Sequence, residues 1–166
     1  LSKEDGFNIK LSEEDLAIIV EQACRDLQGE MDDATYFEDD TEVQKDWLSL
    51  KIKNKQIKFT HWNAYRNQLS SKPNWTVGDN GTLTKLDLNT QRILSNLADP
   101  NGPCLVRKGM VVGNVQSGKT ANYIGLICKA ADAGYKVIVV LAGMLDDLRI
   151  QTQIRVEEGY IGNSNT

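Results

Sequence analysis

Apolar positions along the chain divide it into segments of different texture. Behind Ser12-Glu13-Glu14-Asp15, Leu16, Ile19, Val20 and Ala23 recur at helical spacing. A serine at the N-cap and carboxylates in the first turn favour the exposed amides there, so this pattern predicts a helix running to about Gly29. Glu30 to Asp46 is acidic, with Tyr36 and Phe37 as its main bulky apolar residues, and reads as a linker or surface loop. Trp47, Leu48, Ile52, Ile57, Phe59, Trp62, Tyr65 and Leu69 form a broken apolar stripe that predicts one or two helices, although Leu50 to Lys53 also alternates with a period of two. Pro73, Gly78, Asn80 and Gly81 mark a turn-rich break. Asp87 to Leu97 then sets Leu88, Ile93, Leu94 and Leu97 on one helical face, closed by Asp99-Pro100-Asn101-Gly102-Pro103.

Beyond Pro103 the pattern changes. Met110-Val111-Val112 is a short β-branched run, and Gly118 to Ala133 has helical periodicity through Ile124, Ile127 and Ala131, stopped by Gly134. Val137 to Leu141 is wholly apolar, as expected of a strand covered on both faces, and Leu145 to Val156 reads as another helix. Strand, glycine-rich turn, helix, strand and helix in that order open a parallel sheet. The expected fold class is therefore α/β: a mainly helical N-terminal region followed by the start of a parallel sheet with flanking helices. Its expected divisions are 1–46 (helix and acidic linker), 47–104 (helical region) and 105–166 (start of the α/β domain).

Hydrophobic residues make up 40% of the 166 positions and aromatics 7%, enough for a core and too much for wholesale disorder. No apolar run is long enough to cross a bilayer, and no secretory signal opens the chain, so no membrane partner is expected. Cys24, Cys104 and Cys128 are odd in number and widely spaced, which suits a reducing cytoplasm and three unreactive thiols better than a disulfide framework. The net charge of −4 hides an asymmetry. Residues 1–46 carry 15 acidic against 4 basic side chains, and residues 47–166 carry 8 against 15. A basic body behind an acidic leader is compatible with a polyanionic partner.

Gly113-Asn114-Val115-Gln116-Ser117-Gly118-Lys119-Thr120 matches G-x-x-x-x-G-K-[ST] at every fixed position. In that pattern glycines let the backbone wrap around oxygen atoms, and successive amides with a helix N-terminus form a concave anion site. Gly113, Gln116, Ser117, Gly118, Lys119 and Thr120 are the expected nucleotide-binding residues. Lys119 reaches the β- and γ-phosphates, which also makes it the candidate catalytic residue, and the Thr120 hydroxyl ligates Mg²⁺. The expected cofactors are ATP and Mg²⁺, and the expected start of a P-loop domain is RecA-like.

Hydrolysis needs a further carboxylate for the metal and a residue to orient water. Asp146 and Asp147 follow the second apolar run, but helix capping next to a first turn explains them better, and Glu157 and Glu158 read as a solvated face. Trp47, Trp62, Tyr65 and Trp75, interleaved with Lys51 to Lys58 and Arg66, combine stacking surfaces with phosphate-binding charge, and core packing of the aromatics is the simpler account. His61 has no acidic or thiol neighbour in sequence to make it catalytic.

The run Lys108 to Tyr123 resembles the signature of the Z-one domain proteins. The resemblance continues through Lys129 to Lys136, Val139 to Gly143, Leu148 to Arg155 and Glu158-Gly159, and more loosely upstream through Leu86 to Thr90, Ile93-Leu94 and the Trp62/Tyr65 pair. It implies a bacterial or phage-borne ATPase similar to superfamily-two helicases, in a family described as endonucleases and associated with restriction or anti-phage defence. It also implies a longer protein of which these residues are the N-terminal part, with the Walker B carboxylate, arginine finger and second lobe beyond Thr166. In that frame Arg149, Gln151 and Gln153 are candidate nucleic-acid contacts, with a polar helix face as the alternative.

Two readings of function follow. In the first, the chain is the ATP-binding portion of a helicase-like ATPase that acts on nucleic acid, with DNA and companion defence proteins as partners. In the second, it is a non-catalytic module whose helical region binds a partner protein. A GTPase reading has little support, because no Asn-Lys-x-Asp box is present.

Overall fold

A computed structural model describes residues 47–103, 106–112, 118–143 and 145–162. The helix expected after Ser12, the acidic segment, Cys24 and Cys104 lie outside the described residues. Among the described residues five helices follow one another: α1 (Trp47–Lys53), α2 (Thr60–Ser70), α3 (Thr82–Asn96), α4 (Lys119–Ala133) and α5 (Asp146–Tyr160). α4 is the central element, packed against α3 and α2. α5 lies against α4 and α2, and α1 against α3.

The stripe from Trp47 to Leu69 resolves into α1 and α2, and the turn-rich break falls where Pro73 to Gly81 place it. α3 begins five residues before the expected Asp87, and its buried face differs from the expected one. Leu83, Leu86, Thr90 and Leu94 face inward at spacings of three and four, while Leu88 is 62% exposed. Thr90 hid this register in the sequence. Its hydroxyl donates to the Leu86 carbonyl at 2.7 Å, so a polar residue sits fully buried within an apolar face.

The expected parallel sheet is absent among the described residues. No described residue belongs to a strand, and the α/β assignment gives way to an all-helical architecture. Val137 and Leu141, expected to be covered on both faces, are 77% and 91% exposed, and Met110, Val111 and Val112 are also exposed. β-Branched composition favours a strand only when a neighbour accepts its ladder bonds and packs against its side chains. No backbone hydrogen bond joins either run to another described segment. The core is built from helix faces instead. One cluster gathers Trp62, Tyr65, Leu69, Leu83, Leu86, Ala121, Ile124 and Cys128, and a second gathers Trp47, Leu48, Leu94, Ala130 and Ala133.

Polar groups fix how the helices meet. Phe59 cannot cap α2 with its side chain, so Asp132 of α4 does so from outside. Its two carboxylate oxygens accept the His61 and Trp62 amides at 3.0 and 2.9 Å. Lys129, also on α4, is 1% exposed. Its ammonium donates to the Asp87 carbonyl at 2.7 Å and to the Asp87 carboxylate, and it lies 4.5 Å from the centre of the Trp62 ring. Burial lowers the Lys129 pKa, and Asp87 opposes that shift. Behind α3, the Trp47 indole donates to the Leu97 carbonyl at 2.8 Å, the Tyr135 hydroxyl donates to the Ala98 carbonyl, and Lys51 pairs with Asp99.

Two close approaches need glycine. A Cβ on Gly81 would stand 2.4 Å from the Thr76 carbonyl oxygen, where Thr76 and Thr82 exchange hydrogen bonds to open α3. A Cβ on Gly159 would stand 2.6 Å from Ile124 and 3.1 Å from Tyr65, so this glycine lets α5 seat against α4 and α2.

Two outcomes in urea unfolding test this packing. Gly159→Ala is expected to lose about 1 kcal/mol or more, because overpacking outweighs the helix propensity that alanine adds. Asp87→Ala strands a buried ammonium and is expected to cost about 3 kcal/mol, whereas Lys129→Met leaves a half-exposed carboxylate and is expected to cost far less.

Candidate nucleotide site at the start of α4

The described part of the glycine-rich motif begins at Gly118. Gly113, Gln116 and Ser117, with Asn114 and Val115 between them, lie outside the described residues. Gly118 has φ 73° and ψ 17°, a left-handed conformation that L side chains adopt at a cost, which accounts for glycine at this motif position. Lys119 and Thr120 are the first two residues of α4. The first bond of the helix runs from the Asn122 amide to the Gly118 carbonyl at 3.0 Å. Amides at the very start of the helix therefore have no carbonyl four residues back within it, and no acidic side chain occupies its first turn. Lys119 is exposed and Thr120 half-buried, so a cation and a hydroxyl stand at the positive end of the helix dipole.

A residue to which the sequence had assigned no role completes this corner. Arg155 on α5 donates from Nη1 to the Thr120 hydroxyl at 3.4 Å, across 35 residues of chain. Nothing in the local sequence marks Arg155, because its position depends on how α5 seats against α4. Nearby on α4, Asn122 carries a buried side-chain oxygen with no hydrogen-bond partner among the described residues.

Arg149, Gln151 and Gln153 all lie exposed on α5 but do not form one surface. At 3.6 residues per turn, Arg149 and Gln153 share a face, and Gln151 points the other way. Gln151 instead lines a shallow groove of about 370 Å³ with Asp147, Ile150, Ile154, Arg155 and Glu158. Arg149 pairs loosely with Asp146 at 3.4 Å, and the Gln153 amide donates to Glu157 at 2.8 Å. Asp146 and Asp147 lie in the first turn of α5, but the capping expected of them is not seen: Leu145 is the N-cap, and no side chain makes a capping bond there. No group of three or more candidate metal-ligating side chains occurs among the described residues.

The aromatic residues with stacking potential are structural. Trp47, Trp62 and Tyr65 are buried and Trp75 is half-buried against the core, so they offer no platform for bases. His61 stacks on Tyr160 with ring centres 4.7 Å apart, helping to hold the end of α5. Cys128 is a free, buried thiol, and burial, with the Asp132 charge adding to it, pushes its pKa up to about 12.

No family model matches the sequence, and neither a curated protein nor a solved structure shows significant similarity to it. The nucleotide motif and the family resemblance therefore rest on the residues themselves.

The raised Cys128 pKa has a direct consequence. The thiolate is the reacting species, so Cys128 is expected to resist iodoacetamide at pH 8 in the native protein and to react in denaturant, as peptide mass mapping would read.

Proposed function

We propose that the chain binds ATP with Mg²⁺ through residues 113–120. It serves as the ATP-binding portion of a helicase-like ATPase that acts on nucleic acid, and its Z-one resemblance points to a bacterial restriction or anti-phage defence system of the cytoplasm. The observation that carries this reading is the complete glycine-rich motif ending on a left-handed Gly118 with Lys119 and Thr120 opening a helix. The donor set suits the ligand. Helix-start amides and the Lys119 ammonium meet phosphate oxygens, and a half-buried hydroxyl meets a hard cation. When bound, Mg²⁺ supplies charge neutralisation between the phosphates. The residues themselves hold and orient the polyphosphate, with Lys119 as a point charge and Thr120 as an oxygen ligand. No described carboxylate is assigned to the activation of water, so this reading assigns binding, and not turnover, to these residues.

On the nucleic-acid side, Arg149 and Gln153 form the candidate contact face, and Gln151 drops out of it. No helix among the described residues is long and apolar enough to cross a membrane. The second reading, a module that binds a companion protein, gains support from the apolar side chains exposed on α5, among them Leu148, Ile150 and Ile154. Companion binding that persists without nucleotide would favour it.

Calorimetric titration of Mg-ATP into the chain is expected to show binding that Lys119→Ala abolishes, with Mg-GTP weaker. A folded chain that binds neither nucleotide would sink the reading. Binding to single-stranded DNA is expected to weaken with salt, and Arg149→Ala is expected to reduce the slope by about one ion, with Gln151→Ala leaving it unchanged.

A further inference from the structure

The position of Arg155 is determined by tertiary packing. One turn beyond it, Gly159 is buried against Ile124 and Tyr65, and the Cys128 thiol lies 3.9 Å from the Gly159 carbonyl. Tyr160 stacks on His61. These contacts hold the end of α5 against α4 and α2 and bring the Arg155 guanidinium to Thr120. The guanidinium has five N–H donors, and the Thr120 hydroxyl takes one of them. No carboxylate among the described residues pairs with it, although Glu158 lines the same groove. Arg155 is also exposed, so its remaining donors face solvent beside the start of α4.

We infer that Arg155 is a phosphate-binding residue of this site, reaching from α5 to the polyphosphate of the bound nucleotide on the Thr120 side. The inference rests on the nucleotide reading above and adds a ligand contact from outside the motif. A planar guanidinium matches phosphate oxygens with two parallel hydrogen bonds, a better partner than one hydroxyl at 3.4 Å. Thr120 Oγ1 cannot comfortably serve both Mg²⁺ and a guanidinium, because two cations on one oxygen repel. A cation held by Thr120 Oγ1 would therefore leave the Arg155 guanidinium free to pair with phosphate oxygens of the nucleotide.

The test is calorimetry on the full chain with Mg-ATP and with Mg-tripolyphosphate, comparing wild type, Lys119→Ala, Arg155→Ala and Arg155→Lys. Arg155 is exposed and outside the core, so equal thermal midpoints are expected for wild type and both Arg155 variants. Arg155→Ala is expected to weaken both ligands about tenfold or more, the loss of one charge-assisted contact, and Arg155→Lys to recover part of it. A loss with ATP alone would overturn the inference, since it would place Arg155 at the base or sugar. Unchanged or tighter binding by Arg155→Ala, with Lys119→Ala still inactive, would overturn it and leave the nucleotide reading standing. A wild-type chain that binds neither ligand would overturn both.

Discussion

The buried ammonium of Lys129 constrains three helices at once. It hangs from α4, bonds to the backbone and carboxylate of Asp87 on α3, and lies over the Trp62 ring of α2. A charge taken out of water is tolerable only where its hydrogen bonds are met, so this side chain admits few alternative registers among these helices. Three positions later, Asp132 accepts the first amides of α2 and fixes where that helix starts. One helix thus supplies a cation to one neighbour and an anion to another. The apolar clusters fill the space this arrangement leaves, and Gly125, whose Cβ would meet Trp62 and Thr90 at 3.1 and 3.2 Å, lets α4 come close to both partners.

Helices announced themselves where local rules sufficed. The Gly134 stop is an example: with φ at 105°, its amide and that of Tyr135 return to the Ala131 and Ala130 carbonyls, the backbone pattern that ends helices on glycine. The turn after α2 and the break after α3 were equally legible from proline, glycine and asparagine. Strands were misjudged because a run such as Val137 to Leu141 states only a preference. Whether it pairs depends on a neighbour that no local pattern names. The buried face of α3 was misread for the opposite reason, since Thr90 looked polar and Leu88 looked apolar, and tertiary contacts decided both.

At the candidate site, the motif identified Gly118, Lys119 and Thr120 without help from the fold, because the spacing encodes a backbone shape and a chemistry together. Arg155 was invisible to that logic. Arginine at that position is unremarkable until α5 is seated, and the seat depends on a glycine and two aromatic rings far from the motif in sequence. The aromatic residues near the lysines show the converse. Their composition suggested a stacking surface, yet burial assigned them to the core.

The seat at Gly159 makes α5 a lever. Its C-terminal turn is gripped by Ile124, Tyr65 and His61, while Leu148 and Ile150 toward its other end remain exposed. At a rise of about 1.5 Å per residue, Arg155 stands some 6 Å from the fulcrum and Arg149 some 15 Å. A tilt about Gly159 that shifts the guanidinium of Arg155 by a given distance therefore carries the Arg149 end more than twice as far. The same geometry runs in reverse: a load on the Arg149 face acts on Thr120 with mechanical advantage.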